Sequence, residues 1–573
     1  MSSIPDTILQ GMDFTEGYGD TVSRVAAAAR SGCRKRVRRL IKRGFSVDCR
    51  DNRGWNALHE AAAAGSKECV QDILSAGGGS SGGASDYVNS LTHEGESACY
   101  LAAQRGHLAA VQLLLKAHSN INQLTNNLSC PLYAAVDGGH TAVVELLVSR
   151  GAEVNRTHTS SCWTCLHQAV YKGHSDIVRV LANRSNLEAP DDHKISPLFV
   201  AAQYGQQECL EILVNAGANV NTQAADLATP LLIASQEGHQ GCVDLLLDHG
   251  ADPNISCSRL WPQLPIHAAV EFGHIGVLKR LIAATDRVCD QGEGMVSPLY
   301  VALQYDQSDS VEMLLREGYS PDAQDCTDIL DIRSPLFMTL CRTSNEPKRI
   351  SFSELLIAAG ARWSEKDWIY ALATDKTDLL QLILKHRWIP RQDTATRKCS
   401  APHHPGKTVL KLPEVRDLLC VALNQVHFAA CWLPLLLKAG LEPSLLLQPH
   451  MLEQADSEVL NYLLEFVNWS TLSPPLKHIL DRRRAEKTWE PCPHLDSIPC
   501  LSHMCRLQVR VVLGSDSLMG TDVVERLPVP SLLNGFLQFR DISEPFYTHS
   551  PQSSPLSERI HEYESTHQHR HVL

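Results

Sequence analysis

At 573 residues the chain exceeds the roughly 250–300 over which a single hydrophobic core keeps growing, so it divides into domains or repeats. A formal net charge of −12, with 44% hydrophobic and 20% charged residues, excludes a general binder of nucleic acid or anionic membrane and also a disordered chain. No run reaches the ~18 apolar residues of a membrane helix, Met1–Gly19 carries no basic-then-apolar leader, and 19 cysteines without one point to reduced thiols in the cytoplasm or nucleus.

After an extension over residues 1–20, the chain repeats itself. Thr229-Pro230-Leu231-Leu232-Ile233-Ala234 has a near copy at Ser196–Ala202 and another at Leu264–Ala269. Weaker copies open at Asn56, Ser97, Cys130, Thr164, Ser297 and Ser334. The second residues of these openings fall at 57, 98, 131, 165, 197, 230, 265, 298 and 335, spaced mostly by 32–35. Ser23–Ala29 lies one period before the first of them. A period near 33 with a Thr-Pro-Leu-His-like opening resembles the ankyrin repeat.

One unit shows why the residues behave this way. Ser196 caps a helix whose first position suits Pro197. Leu198, Ala201 and Ala202 then share one face, and Gly205 ends that helix. Cys209, Leu210, Ile212 and Leu213 mark the apolar side of a second helix ending at Gly217, and Asn219-Val220-Asn221 starts the hairpin that leads onward. Two short helices cannot bury their apolar faces alone, so the units must stack. His59, His167 and His267 occupy the histidine of the opening motif, a bridging position and not a catalytic one. Gly151, Gly217 and Gly250 end second helices at the repeat period. His118 and Arg184 stand at the intervening points, where a left-handed cap is costly, so those junctions are either capped differently or softer, the latter being expected. The longest interval contains Gly77–Gly83, expected to be a flexible surface loop; with no Lys-Ser/Thr after its glycines it is not a phosphate loop.

Past Pro335 the pattern decays. Helix pairs are expected over Trp368–Trp388 and Leu418–Gly440, separated by a polar linker at 391–413. A buried stripe of Leu460, Leu463, Leu464 and Val467 follows. The expected organisation is therefore repeats over 21–365, about ten of them clear, degenerate or capping helical repeats over 366–490, a terminal module over 491–540 and a polar tail over 541–573.

In the terminal module Ser497 and Pro499 are helix-start signals, and Leu501, Cys505 and Val509 follow at i, i+4 and i+8. On spacing alone this is either the core helix of a last repeat or a docking helix. Leu527-Pro528-Val529-Pro530 is extended because its prolines forbid a helix, and Pro530 opens a second helix carrying Leu532, Leu533, Phe536 and Leu537. This order of motifs behind ankyrin repeats resembles a SOCS box, and the whole chain is similar to the ankyrin repeat and SOCS box family. The resemblance implies an all-α fold, an ankyrin-repeat solenoid of helix pairs with β-hairpin fingers followed by a three-helix SOCS box. It further implies a substrate receptor of a cullin–RING ubiquitin ligase. Leu501, Cys505 and Val509 would contact elongin C, which is joined to elongin B. Leu527, Pro528, Val529 and Pro530 would contact cullin 5, which carries a RING subunit. Cys500 and Phe536 depart from the family pattern, in which Ser, Thr or Pro and Tyr are usual.

The target protein is expected on the repeats. Trp55, Trp163 and Trp261, all at hairpin tips, are the candidate contacts, although such rings also serve simply to pack neighbouring fingers. No nucleic acid, membrane insertion, cofactor or catalytic residue is expected, and the hydrolase, protease and phosphate-loop motifs are absent. Cys492, His494, Cys500, His503 and Cys505 crowd together without the paired spacing of a zinc site, so no metal is expected there. The rival reading is an ankyrin scaffold whose last helices only cap the stack.

Overall fold

The structure, a computed structural model, describes residues 22–77, 83–158, 161–257, 263–291, 296–322, 334–341, 347–364, 367–368, 371, 377–388, 408–409, 414, 436–437, 447, 449–455, 457–497, 499–519, 533 and 536–539. They fall into two compact units, 1–286 and 287–573.

In the first unit, helix pairs run from Arg24–Arg30 with Arg34–Lys42 to Pro265–Glu271 with Ile275–Ala284. Along the unit, each first helix lies against the first helix of the next pair, and second helices do the same, which makes two layers. Local chemistry sets each start. The side chains of Ser97, Ser196 and Thr229 accept from the backbone N–H three residues on, at 3.1, 3.3 and 3.2 Å. Proline fills the first helical position at 131, 197, 230 and 265. Leu198, Ala201, Ala202, Leu210 and Leu213 are fully buried, as the spacing requires.

Side chains about one repeat apart in sequence then tie repeat to repeat. The Asn89, Asn122, Asn155 and Asn221 side chains accept from the backbone N–H of Asn120, Glu153, Asn186 and Asp252, each 31 residues ahead. A second tie links the pairs where a first helix ends. Imidazole Nε2 of His140, His239 and His274 donates to the carbonyls of Gln104, Gln203 and Gln236 at 2.9–3.1 Å. The His140 ring lies so close to Gly106 that a Cβ there would meet it at 2.5 Å. These histidines escaped the sequence reading, although Gly-His recurs at the repeat period.

The fingers are short. Each is closed by a backbone bond such as Thr125 N–H to Ser129 (2.9 Å) or Asp191 N–H to Ile195 (3.0 Å), and its strand character shrinks to isolated bridges like Thr157 with Thr164. His59 and His167 bridge as expected. Nδ1 accepts from Asn56 and Thr164 N–H, while Nε2–H donates to the carbonyls of Ser90 and Ile195 in the next finger. Burial depresses both, His59 to about 4. A folded value below the ordinary ~6.5 means the folded state resists protonation. The stability these rings give is therefore complete above about pH 6.5 and lost as the pH falls toward 4. For His59 this amounts to roughly 3 kcal/mol at pH 4. Urea titrations at pH 7, 6 and 5 are expected to show a falling midpoint, with His59→Gln flattening the dependence; parallel pH profiles for the two proteins would contradict it.

Two expectations change. At Gly151, Gly217 and Gly250 the backbone is left-handed (φ 86, 95 and 84) with open space where a side chain would stand. His118 takes the same conformation (φ 67) despite its Cβ, at about 1–2 kcal/mol. Arg184 does not: the preceding helix stops at Ala182, and the N–H groups of Arg184 and Ser185 both return to the Leu181 carbonyl. That junction is capped differently. The insertion also is more than a loop. Gly77 belongs to the helix Lys67–Gly77, residues 78–82 lie outside the described residues, and Gly83–Val88 is helical. Tyr87 seals it, buried against Gly77 with its hydroxyl donating to the Val47 carbonyl at 3.2 Å.

After the short helix Val288–Gln291, the second unit continues with the pairs Pro298–Gln304/Ser308–Arg316 and Pro335–Cys341/Pro347–Ala358. Trp363 and Trp368 stack at 4.3 Å in its interior. After Thr377–His386, residues 387–388 pair in parallel with 408–409, so two residues inside the expected linker are strand. Nearer the C-terminus the helices Pro449–Gln454, Ser457–Leu464 and Pro474–Ala485 enclose a core of Leu452, Leu460, Leu464, Ile479, Leu480 and Trp489. Buried Arg483 closes it, donating to the carbonyls of Leu452, Ala455 and Thr488 at 2.7–2.8 Å. No helix among the described residues is long and apolar enough to cross a membrane.

Candidate functional site

The helix Leu501–Met519 is held at its entrance by that core. Trp489 Nε1–H donates to Asn461 and Trp469 Nε1–H to the Ser497 carbonyl, both at 2.9 Å. Arg484 forms a two-pronged pair with Asp496, and His494 pairs with Glu465. The segment before the helix is thus tied down from both sides.

By the ~100° turn per residue of an α-helix, Leu501, Cys505, Val509 and Val512 share one side, and His503, Arg506 and Arg510 the opposite one. Solvent access follows this division. Leu501 is 80% exposed, Val512 76% and Val509 38%, and Cys505 is exposed too. His503 and Arg506 are 4% exposed. His503 Nε2–H donates to the Val467 carbonyl at 3.2 Å, beneath the Trp469 ring. The Arg506 guanidinium lies 4.4 Å from the Phe536 ring and 4.0 Å from that of Phe539. Arg510 sits 4.8 Å from Phe539 and donates to the carbonyls of Leu437 and Leu537. Desolvation, then the neighbouring Arg506, brings Arg510 down to about 10. Phe539, wholly buried, stacks on Phe466 at 4.3 Å.

The helix is therefore anchored through a polar and aromatic face, and its apolar side points to solvent. That inversion of the usual amphipathic arrangement is not that of a core helix, whose apolar side faces inward. Leu537 is buried, Leu533 is 47% exposed, and Leu527, Pro528, Val529 and Pro530 lie outside the described residues. Phe536 is half-buried and spends its ring on Arg506. His503 and Cys505 project from opposite faces, which disperses the terminal Cys/His cluster.

Of the tryptophans, Trp261 lies outside the described residues. Trp55 is half-buried under the Arg53 guanidinium at 4.4 Å. Trp163 stacks on His167 at 5.9 Å and donates to Asp191. Both pack on their own neighbourhood. More open rings are Tyr204 (47%) and Phe272 (51%), each just before a helix-ending glycine. Both stand in aromatic–glycine pairs visible in the sequence, Tyr204-Gly205 and Phe272-Gly273.

The chain is 39% identical over 532 residues to human ankyrin repeat and SOCS box protein 3, across 93% of its own length and 97% of that protein's. It belongs to the ankyrin repeat and SOCS box family. The bovine protein of the same name is 38% identical over 532 residues, covering 93% of this chain and 96% of the relative. Mouse ankyrin repeat and SOCS box protein 14 is 27% identical over 302 residues, about half of each chain (48% and 50%). Ankyrin repeat models match residues 25–74, 81–158, 166–257 and 231–325, and the SOCS box model matches 497–538. Membership supports a substrate-receptor role in a cullin–RING ubiquitin ligase. The helix with the exposed apolar side lies inside the SOCS box match, and Phe539, its buried anchor, stands one residue past it.

Proposed function

We propose that this chain is the non-catalytic, substrate-recognition subunit of an elongin B/C–cullin 5 ubiquitin ligase. The ankyrin repeats hold a target protein, with Trp55, Trp163 and Trp261 as proposed contacts. Leu501, Cys505 and Val509 dock elongin C, and Leu527, Pro528, Val529 and Pro530 engage cullin 5 with its RING subunit. The chain acts by raising the effective concentration of target lysines near charged ubiquitin, so none of its own residues enters the chemistry.

The observation that carries the reading is the 80% exposure of Leu501 on a helix whose other face is buried. A scaffold with merely capping helices would place that leucine inside. Affinity purification of the full chain tests the choice. Elongin B, elongin C and cullin 5 are expected with the native chain and absent when Leu501 and Cys505 are both replaced by Asp and Ser. Recovery of the elongins with that double variant would remove the assignment. If the elongins bind but cullin 5 does not, the contact at Leu527–Pro530 fails alone.

A further inference from the structure

The first unit contains a group of side chains that neither stacking nor ligase recruitment explains. In most repeats the residue before the first helix is a hydroxyl cap, as at Ser97, Thr164, Ser196 and Thr229. At Cys130 a thiol replaces it. In the next repeat the first helical position, proline at 131, 197, 230 and 265, is Cys165. Between them, at the base of a finger, stands His158. Three departures from the repeat pattern thus converge on one point, 28 and 35 residues apart along the chain. Their sulfur and nitrogen atoms all lie within 4.8 Å of one another, and each residue is at most 2% exposed.

The details fit a metal-ligand set. His158 Nδ1 lies 3.1 Å from the Leu128 carbonyl, an acceptor only, so Nδ1 carries the proton. Nε2 then presents its lone pair toward Cys130 Sγ, 3.7 Å away. Two ligands about 2.0–2.3 Å from a shared tetrahedral centre stand about 3.6 Å apart. A backbone carbonyl fixing the tautomer of a ligating histidine is the usual outer support of such a site. Cys130 also accepts from Tyr133 N–H at 3.4 Å.

We propose that Cys130, His158 and Cys165 bind a zinc ion between two adjacent ankyrin repeats. Thiolate and imidazole donors select soft or borderline cations. Two thiolates and a neutral imidazole carry a charge of −2, which a divalent ion cancels. A monovalent copper ion would leave a net charge buried. Three protein donors leave the fourth tetrahedral position to water. Complete burial implies that the ion enters as the repeats fold, and that binding adds to their stability.

The test is elemental analysis of the full-length chain, expressed with zinc in the medium and purified in reducing, chelator-free buffer. About one zinc per chain is expected by the three-ligand site, and cobalt substitution should give the thiolate charge-transfer absorption of a Cys-ligated ion. Cys130→Ser restores the hydroxyl that neighbouring repeats carry, so it is expected to keep the fold by circular dichroism while zinc falls at least about tenfold, the loss of one ligand. His158→Ala should do likewise. A Cys492→Ser/Cys500→Ser variant should retain the metal. The proposal is overturned by a native chain with neither zinc nor the cobalt band. It is equally overturned if zinc survives Cys130→Ser but vanishes with the terminal pair.

Discussion

Phe539→Ala is expected to loosen the SOCS-box helix from the second unit by about 3–5 kcal/mol, the range for emptying a buried phenylalanine site. The ring has no exposure, stacks on Phe466 at 4.3 Å and supports the guanidinium groups of Arg506 and Arg510. Its removal leaves a cavity and also strips two desolvated cations of their aromatic face, which adds to the cost. The structure offers little room for collapse, because Arg510 is simultaneously held by the carbonyls of Leu437 and Leu537. Every 1.4 kcal/mol is a tenfold change in an equilibrium, so the open population of residues 501–512 should rise by at least about a hundredfold. Hydrogen exchange of those amides is the direct measurement, with Phe539→Leu expected to fall between. Unchanged protection in the alanine variant would show that the helix is held by something other than this stack.

The reverse pattern is expected of Leu501→Asp. Leu501 is largely in solvent, so the fold should register the change by less than about 0.5 kcal/mol. It is also the first residue of its helix, where a carboxylate interacts favourably with the free backbone N–H groups. Helical content should therefore be unaltered. Binding is another matter. Burying a leucine contributes roughly 1.5–3 kcal/mol, and forcing a carboxylate into the same apolar contact adds its desolvation cost. A loss of more than about a hundredfold in affinity for the elongin B/C pair is expected, read by calorimetry on the folded variant. Affinity within about threefold of the native chain would mean that Leu501 is not the anchor. Together the two variants separate docking of the helix onto its own unit from docking of a partner onto the helix.

Much of this was readable in the chain before any coordinates. The repeat period, the hydroxyl–proline helix starts and the buried stripe of Leu460, Leu463 and Leu464 depend on interactions within a few residues, so their signals are local. The bridging role of His59 and His167 was legible for the same reason. At Arg184 the sequence left a different cap and a softer junction both open, and the cap is of another kind: the helix stops at Ala182 and the N–H groups of Arg184 and Ser185 return to Leu181.

By itself the sequence determined that the chain is a stack of ankyrin-type helix pairs closed by a SOCS-box-like module, and that Leu501, Cys505 and Val509 share a helix face. Spacing could not say whether that face is inside or outside, since an apolar stripe serves a core and a docking surface equally well. The tertiary structure decided it, by burying His503 and Arg506 on the other side against Val467, Phe536 and Phe539, residues 30 or more positions away. The meeting of Cys130, His158 and Cys165 was invisible for the same physical reason. Each departs from the repeat pattern at a single position, and only the superposition of successive repeats brings their donor atoms within 4.8 Å.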